Sequence, residues 1–383
     1  MKTSLKKSCG QTGWSFASKS VSAFLTQTGG HLAPVTFKLG QRFVQPFSIP
    51  PWANESLPKD TPTMLKIVRG DFFCAPFGGN ATPYRSERHP PHGETANLDW
   101  KLDSLDRADG TVTLRASMKT ATRRGHIDKR LVLRDGHTAI YCEHVLSGMS
   151  GPMSIGTHPM LLFPDKPGVG CISTSHCQRG FVVPGAWETP EAKGYSLLKL
   201  GAPFTSLARV PAAAGGTLDL TRFPARRGYE ELVELISDVR LPFAWSAVAI
   251  PSERYVFFQL KNPRVLRETV LWFSNGGRHY SPWNGRHLNV LGVEEVTAYF
   301  HLGLAESAKP NLLTRAGAQT AVKLRRDRPL RIAHILGLAS IPKDFDAVKD
   351  ILPANGGVTL VARSGRRGFA PLDLEFVLDG VRR

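Results

Sequence analysis

The stretch "GTVTLRASMKT" puts Val112, Leu114, Ala116 and Met118 on one side of the chain and Thr111, Thr113, Arg115 and Ser117 on the other. Side chains share an apolar face at a spacing of two only when the backbone is extended, so this period demands a half-buried strand and excludes a helix. The next segment, "HIDKRLVLRDGHTAIYCEHVLS", predicts two further strands joined at Asp135-Gly136, a step that readily adopts the backbone angles of a tight hairpin. Similar strand candidates lie at 33–39, 254–261, 356–365 and 372–380. Turn-forming pairs recur between them at Gly29-Gly30, Gly215-Gly216, Gly276-Gly277 and Gly356-Gly357, as a meandering antiparallel sheet requires. Helical signals are few. The spacing of Phe345, Val348 and Ile351 in "PKDFDAVKDIL" predicts one short helix, and "YEELVELISD" at 229–238 fits either a helix or a strand. No linker, low-complexity segment or fixed repeat interrupts the pattern, so the expected fold class is all-β, a large antiparallel sandwich of two packed sheets with few short helices. A boundary within 200–215 is the alternative to one domain.

The chain carries 49 Lys and Arg against 32 Asp and Glu, a formal charge of +17. Such an excess attracts anions: nucleic acid, lipid headgroups or phosphorylated metabolites. Its one dense run, "KLRRDRPLR" at 323–331, lacks the aromatic interleaving or zinc spacing of a nucleic-acid module, so nucleic acid is not the expected partner. Five cysteines without a CxxC pair argue against a zinc ribbon, a thioredoxin-type site or a disulfide framework. The opening "MKTSLKKSCGQTGWSF" lacks the apolar core of a signal peptide, and no run is long enough to span a bilayer, which makes a cytoplasmic location away from membranes the default expectation.

Phosphate-binding loops, a dinucleotide fingerprint, HExxH and the GxSxG elbow are all absent. Three other segments place reactive side chains in unusual contexts. In "HPPHGETANLDW", His92 sits between a proline pair and Gly93, a constrained loop in which it serves either structure or a ligand. In "SIGTHPMLLFPD", His158 interrupts an apolar run and is pinned by Pro159, which makes it either a satisfied core residue or one aimed into a pocket. In "NVLGVEEVTAYF", two adjacent acids occupy an apolar strand. There Glu294 shares a face with Val290, Gly292, Val296 and Ala298, with Gly292 leaving an opening beside it. Desolvation would raise that carboxyl toward the range useful for proton transfer, and pairing with one of the many arginines is the alternative. Upstream, "LWFSNGGRHYSPWNGRH" gathers Trp272, His279, Trp283, Asn284 and His287 in a Gly-rich loop. Indole faces beside hydrogen-bonding groups suit a sugar ring, and equally suit a loop anchored by buried tryptophans.

Taken in order, "HGETAN...W", "GTHPMLLFP" and "LGVEEVT" resemble the successive active-site motifs of the aldose 1-epimerase (galactose mutarotase) family and its hexose-6-phosphate 1-epimerase relatives. "LTQTGGHLAPVTF", "IPPW" and "RYVFFQLKNPRVLRETVLWFSNGG" extend the likeness from about Trp14 almost to the C-terminus. The resemblance implies a single mutarotase-like β-sandwich over 14–383, preceded by a tail at 1–13 that is expected to be poorly ordered. It implies anomer interconversion of a monosaccharide or phosphosugar without metal or organic cofactor. Carried over, Glu294 is the general base, His158 the general acid, and His92 a second histidine that holds or polarises sugar oxygens. Asn97, Trp283 and His279 are expected around the substrate. Two departures bear on the sugar: an HGxxR pattern is common in the phosphosugar branch, and here Thr95, Ala96 and Asn97 follow Gly93; Glu295 stands where Pro usually follows the catalytic carboxylate. Arg85, with Arg88, is the expected replacement cation. A carbohydrate-binding sandwich without turnover, and a lyase or hydrolase on a similar scaffold, are the rival readings.

Overall fold

A computed structural model describes residues 4–186 and 188–378, and strands dominate it. Among these residues the two large layers are a nine-stranded and an eight-stranded antiparallel sheet. The nine-stranded sheet carries, side by side, Ala244–Ile250, Tyr255–Lys261, Leu330–Ser340, Ala139–Ser147, Gly125–Arg134 and Thr111–Thr120. The centre of the eight-stranded sheet is Tyr229–Ser237, Glu268–Asn275 and Val290–Thr297, flanked by Ile155–Thr157 and Phe73–Cys74. A continuous apolar core fills the space between the layers, including Leu114, Ile127, Leu131, Phe257, Leu271, Val293 and Leu336. Polar side chains also cross it: Gln259 Nε2 donates to the Val293 carbonyl at 2.6 Å. The fold is therefore the two-layer β-sandwich that the period-two pattern predicts. No helix among the described residues is long and apolar enough to cross a membrane.

A five-stranded sheet from residues 6–44 begins with Lys6–Ser8, which pairs with Gln11–Ala17 across Cys9-Gly10. Both turn residues have positive φ, as a two-residue hairpin requires. This hairpin occupies part of the stretch set apart as a tail; residues 1–3 lie outside the described ones.

Two local expectations are corrected. "PKDFDAVKDIL" holds no helix: Val348–Ala354 is a strand in a three-stranded C-terminal sheet. A register shift between Val348 and Asp350 inserts one extra residue, so Val348 and Ile351 reach the same apolar side although they are three apart. A bulge thus imitates helical spacing. In "LDLEFVLDG", Glu375–Leu378 is a helical turn in place of a strand, and residues 379 and 380 lie outside the described ones. Phe376 and Val377 are consecutive and both buried, which a pleat with alternating faces cannot achieve. The ambiguous 229–238 segment resolves as the strand Tyr229–Ser237.

Candidate active site

Glu294 and Glu295 face opposite sides of the Val290–Thr297 strand, and their surroundings differ accordingly. Glu295 points between the sheets, where it forms an ion pair with Lys261 and accepts hydrogen bonds from Ser246 Oγ at 2.6 Å and Thr269 Oγ1 at 2.7 Å. Glu294 points to the other face of the sheet and meets two imidazoles: its Oε1 lies 3.4 Å from His158 Nε2 and its Oε2 lies 2.5 Å from His301 Nε2. No arginine forms an ion pair with it among the described residues, so the pairing alternative does not describe this carboxylate.

The convergence of His158 on Glu294 follows from strand register. Gly156 pairs with Val296 and Met160 pairs with Gly292, so His158 sits opposite Glu294 where the ladder is broken by Pro159. The break frees the ring from the pleat while its backbone stays anchored: His158 N donates to the Phe72 carbonyl and to Asp71 Oδ1, each at 3.0 Å. The ring stacks on Phe72 at 4.6 Å and meets Trp272 edge-on at 5.9 Å. Gly292 is needed for a different reason than the expected opening for ligand. A Cβ there would lie 2.5 Å from Glu294 Oε1 and 3.2 Å from Trp272 Cβ, so the glycine makes room for the carboxylate itself.

His92 completes the group, with its ring centroid 4.9 Å from that of His158 and 5.6 Å from that of His301. Its backbone has φ of 59°, an uncommon left-handed conformation that neighbouring hydrogen bonds hold. His92 N donates to the Gly78 carbonyl, and Asn97 Nδ2 donates to the Pro91 and Gly93 carbonyls at 2.6 and 2.7 Å. Gly93 lies so close to Ala75 that a Cβ would sit 2.2 Å from its carbonyl oxygen.

His92, His158 and His301 border a cavity of about 290 Å³, lined also by Trp272, Trp283 and Arg278 among others; Glu294 is fully buried, outside that lining, and meets it through His158 and His301. Trp283 lines the cavity, and its indole Nε1 is buried with no hydrogen-bond partner among the described residues. His279, Arg85 and Asn97 do not line the cavity. His279 is exposed and packs against Gly285, while Asn97 braces the His92 loop. Arg85 lies on an exposed turn beside Tyr84, and Arg88 is likewise exposed outside the cavity. The cavity's cation is Arg278, whose guanidinium lies 4.8 Å from the Trp272 ring and 4.6 Å from the Trp283 ring and pairs with Glu188 at 2.6 Å.

His301 and Arg278 are the two site residues that the sequence reading missed. His301 lies beyond the end of the strand, seven positions after Glu294, and is turned back when Phe300 N bonds to Glu234 Oε2 and Gly79 N bonds to its own carbonyl. No periodic signal marks such a residue. Its one trace is a histidine directly after the aromatic pair Tyr299-Phe300, in "YFHLG".

Burial sets the electrostatics. It pushes the Glu294 carboxyl well above its ordinary range, opposed by the positive charge of Arg278. Burial pushes His92 and His158 well below theirs, helped by the neighbouring imidazoles, and His301 down to about 3. A buried carboxylate and imidazole that share one proton form a coupled pair, suited to giving a proton at one point and taking one at another. The donor atoms of His158, Glu294 and His301 lie within 4.8 Å of one another, as do those of Asp71, Cys142 and His334, so either set could also hold a divalent cation.

Buried groups away from the cavity carry a pH signature. Desolvation pushes His31 and His287 each down to about 3 and Glu230 up to about 7. The folded state keeps the two histidines neutral while the unfolded chain protonates them below about 6.5, so their stabilisation is lost as pH falls from 6.5 toward 3. Glu230 acts in the opposite sense: the folded carboxyl keeps its proton up to about 7 and the unfolded one only to about 4.5, so stability falls as pH rises between them. Below 4.5 Glu230 is protonated in both states and no longer offsets the histidines, each of which costs about 1.4 kcal/mol per pH unit. Urea unfolding measured from pH 4.5 down to 3 is expected to show this decline. A flat profile would mean that these rings are solvated in the native protein.

No family model matches the chain, and no curated protein matches it in sequence. Solved structures do match over most of its length. A galactose mutarotase-like protein from Clostridium acetobutylicum superimposes with a TM-score of 0.58 at 12% identity, covering 88% of this chain and 98% of the other. A candidate mutarotase from Salmonella typhimurium gives 0.57 at 14%, covering 88% and 94%. A galactose mutarotase related enzyme from Lactobacillus acidophilus gives 0.53 at 10%, covering 87% and 98%. At these identities the likeness shows a shared fold, the mutarotase-like β-sandwich.

Proposed function

We propose that this chain is an aldose 1-epimerase, an isomerase that interconverts the α and β anomers of a hexose or related sugar by opening and reclosing its ring. The observation that carries the reading is the buried Glu294 carboxylate, which has no ion-paired Lys or Arg among the described residues and is flanked at 3.4 and 2.5 Å by two imidazoles that line an aromatic cavity. A carboxylate so placed costs stability, groups of this kind cluster at functional sites, and an acid–base pair is what this reaction needs. The pocket also suits a pyranose: Trp272 and Trp283 offer apolar surface and Trp283 Nε1 has no hydrogen-bond partner among the described residues, as is true of Glu294 Oε1 beyond the lining imidazoles.

In this mechanism the resting proton of the pair lies toward the carboxyl, because burial disfavours its charge. Sugar hydroxyls entering the cavity donate to Glu294, favour its ionised form and shift the proton to His158. Glu294 then takes the proton of the anomeric hydroxyl while His158 gives one to the ring oxygen. The C1–O5 bond breaks, the aldehyde turns about C1–C2, and reclosure in the reverse sense yields the other anomer. His92 contacts the sugar oxygens, and His301 holds Glu294 in place through its 2.5 Å hydrogen bond.

The test is polarimetry or exchange NMR on α-glucose, α-galactose and their 6-phosphates, and no acceleration over buffer with any of them would sink the proposal. Saturable sugar binding without acceleration would favour the non-catalytic carbohydrate-binding reading. Exhaustive chelation with EDTA is expected to leave the rate unchanged. A loss restored by Zn²⁺ would replace this mechanism with a metal-assisted one on His158, Glu294 and His301.

A further inference from the structure

We propose that a groove remote from Glu294, where the edge of the sandwich meets the C-terminal sheet, is a second binding site, for a small phosphate-bearing anion. The groove has a volume of about 620 Å³ and is bordered by the strands Gly170–Thr174 and Cys177–Val182, by residues 205–208 and by Val348, Lys349 and Arg363. That volume lies within the usual range for a small-molecule site. No residue of the candidate active site borders it, so the inference does not depend on the epimerase reading.

Its lining has one chemical character. Arg179, Lys349 and Arg363 supply cations, Ser173, Thr205 and Thr221 supply hydroxyls, and no Asp or Glu is present. All three cations are exposed, and none forms an ion pair or side-chain hydrogen bond among the described residues. His176 also borders the groove, and the acid it contacts, Asp238, is clasped by Arg240. Asp346 near the rim accepts the Ser364 backbone N–H. Unpaired cations around an acid-free concavity make a positive potential that a phosphate neutralises through charge-assisted hydrogen bonds.

Two further observations point to a built site rather than a basic surface. The strand at one wall has a register shift between Cys177 and Arg179, and the strand at the opposite wall has one between Val348 and Asp350. Lys349 is itself the extra residue of the second bulge. Bulges redirect side chains, and here both place a cation at the groove. In the floor, Ser173 is 6% exposed, and its Oγ has no hydrogen-bond partner among the described residues. A buried hydroxyl left unpaired costs stability, and a ligand oxygen would satisfy it.

The experiment is calorimetric titration of the full chain with inorganic pyrophosphate and, separately, glucose 6-phosphate, at fixed ionic strength and with sodium chloride as the control. Wild type is expected to bind pyrophosphate at one site per chain, and glucose 6-phosphate at that site in addition to any binding in the Glu294 cavity. The exposed double variant Lys349→Gln/Arg363→Gln is expected to lose about tenfold or more in affinity, the loss for two charge-assisted hydrogen bonds, while sugar turnover is unchanged. Arg325→Gln/Arg326→Gln removes the same charge from the exposed basic run elsewhere and is expected to change affinity less than about twofold. Equal losses in the two double variants, or no saturable binding to wild type, would overturn the proposal. Pyrophosphate binding without glucose 6-phosphate binding at the groove identifies the ligand as a polyphosphate, and glucose 6-phosphate binding alone, weakened in Lys349→Gln/Arg363→Gln, as a phosphorylated sugar.

Discussion

Glu294→Gln is expected to slow anomer interconversion by about 10²–10⁴-fold, the usual contribution of a positioned acid or base. Gln keeps the shape and one acceptor oxygen of Glu, and the side chain is fully buried on a central strand, so the variant remains folded. What disappears is the proton exchanged with His158 and with the anomeric hydroxyl. Because a buried carboxyl is replaced by a neutral amide, the unfolding midpoint in urea is expected to stay the same or rise. Polarimetry reads the first effect and equilibrium unfolding the second. Full activity in a folded Glu294→Gln variant would refute the acid–base assignment. A loss of activity accompanied by a large loss of stability would place Glu294 in the architecture instead.

Lys261→Met is expected to destabilise the fold by about 3–5 kcal/mol, the cost of breaking a buried ion pair. Lys261 and Glu295 are 1% and 0% exposed in their side chains and lie between the two sheets. Lys261 Nζ also donates to the Glu268 carbonyl at 2.7 Å and to Thr269 Oγ1 at 3.0 Å. Removing the ammonium leaves Glu295 with hydroxyl donors alone, too few for a buried charge. The double variant Lys261→Met/Glu295→Leu removes both charges and is expected to recover much of the loss, as replaced buried pairs often do. Urea unfolding of the single and double variants checks both statements. A single variant within about 1 kcal/mol of wild type would show that water reaches this pair.

The two neighbouring glutamates explain each other through these experiments. One is neutralised in the core and ties the strand to the opposite sheet; the other faces the imidazoles and has no ion-paired Lys or Arg among the described residues. Alternation along an extended strand makes that division possible, since adjacent residues on one strand live in different environments.

Much of this was legible in the sequence, because period and turn chemistry are local properties. The alternation at 111–120 and the Asp135-Gly136 step correspond to observed strands and their connection. Errors arose where a local signal has two physical causes. A bulge at Lys349 gave a strand helical spacing, and two adjacent buried residues, Phe376 and Val377, required a turn of helix within an alternating pattern.

For the site, the sequence by itself determined that Glu294 shares a strand face with apolar side chains, that His92 lies in a constrained loop and that His158 is pinned by proline. Only the tertiary structure decided which groups meet. Strand register set His158 against Glu294, the turn at Phe300 brought in His301, and the loop before Trp283 delivered Arg278 in place of Arg85. Local chemistry is written residue by residue, whereas proximity across a sheet depends on pairing between segments far apart in the chain, which no single segment encodes.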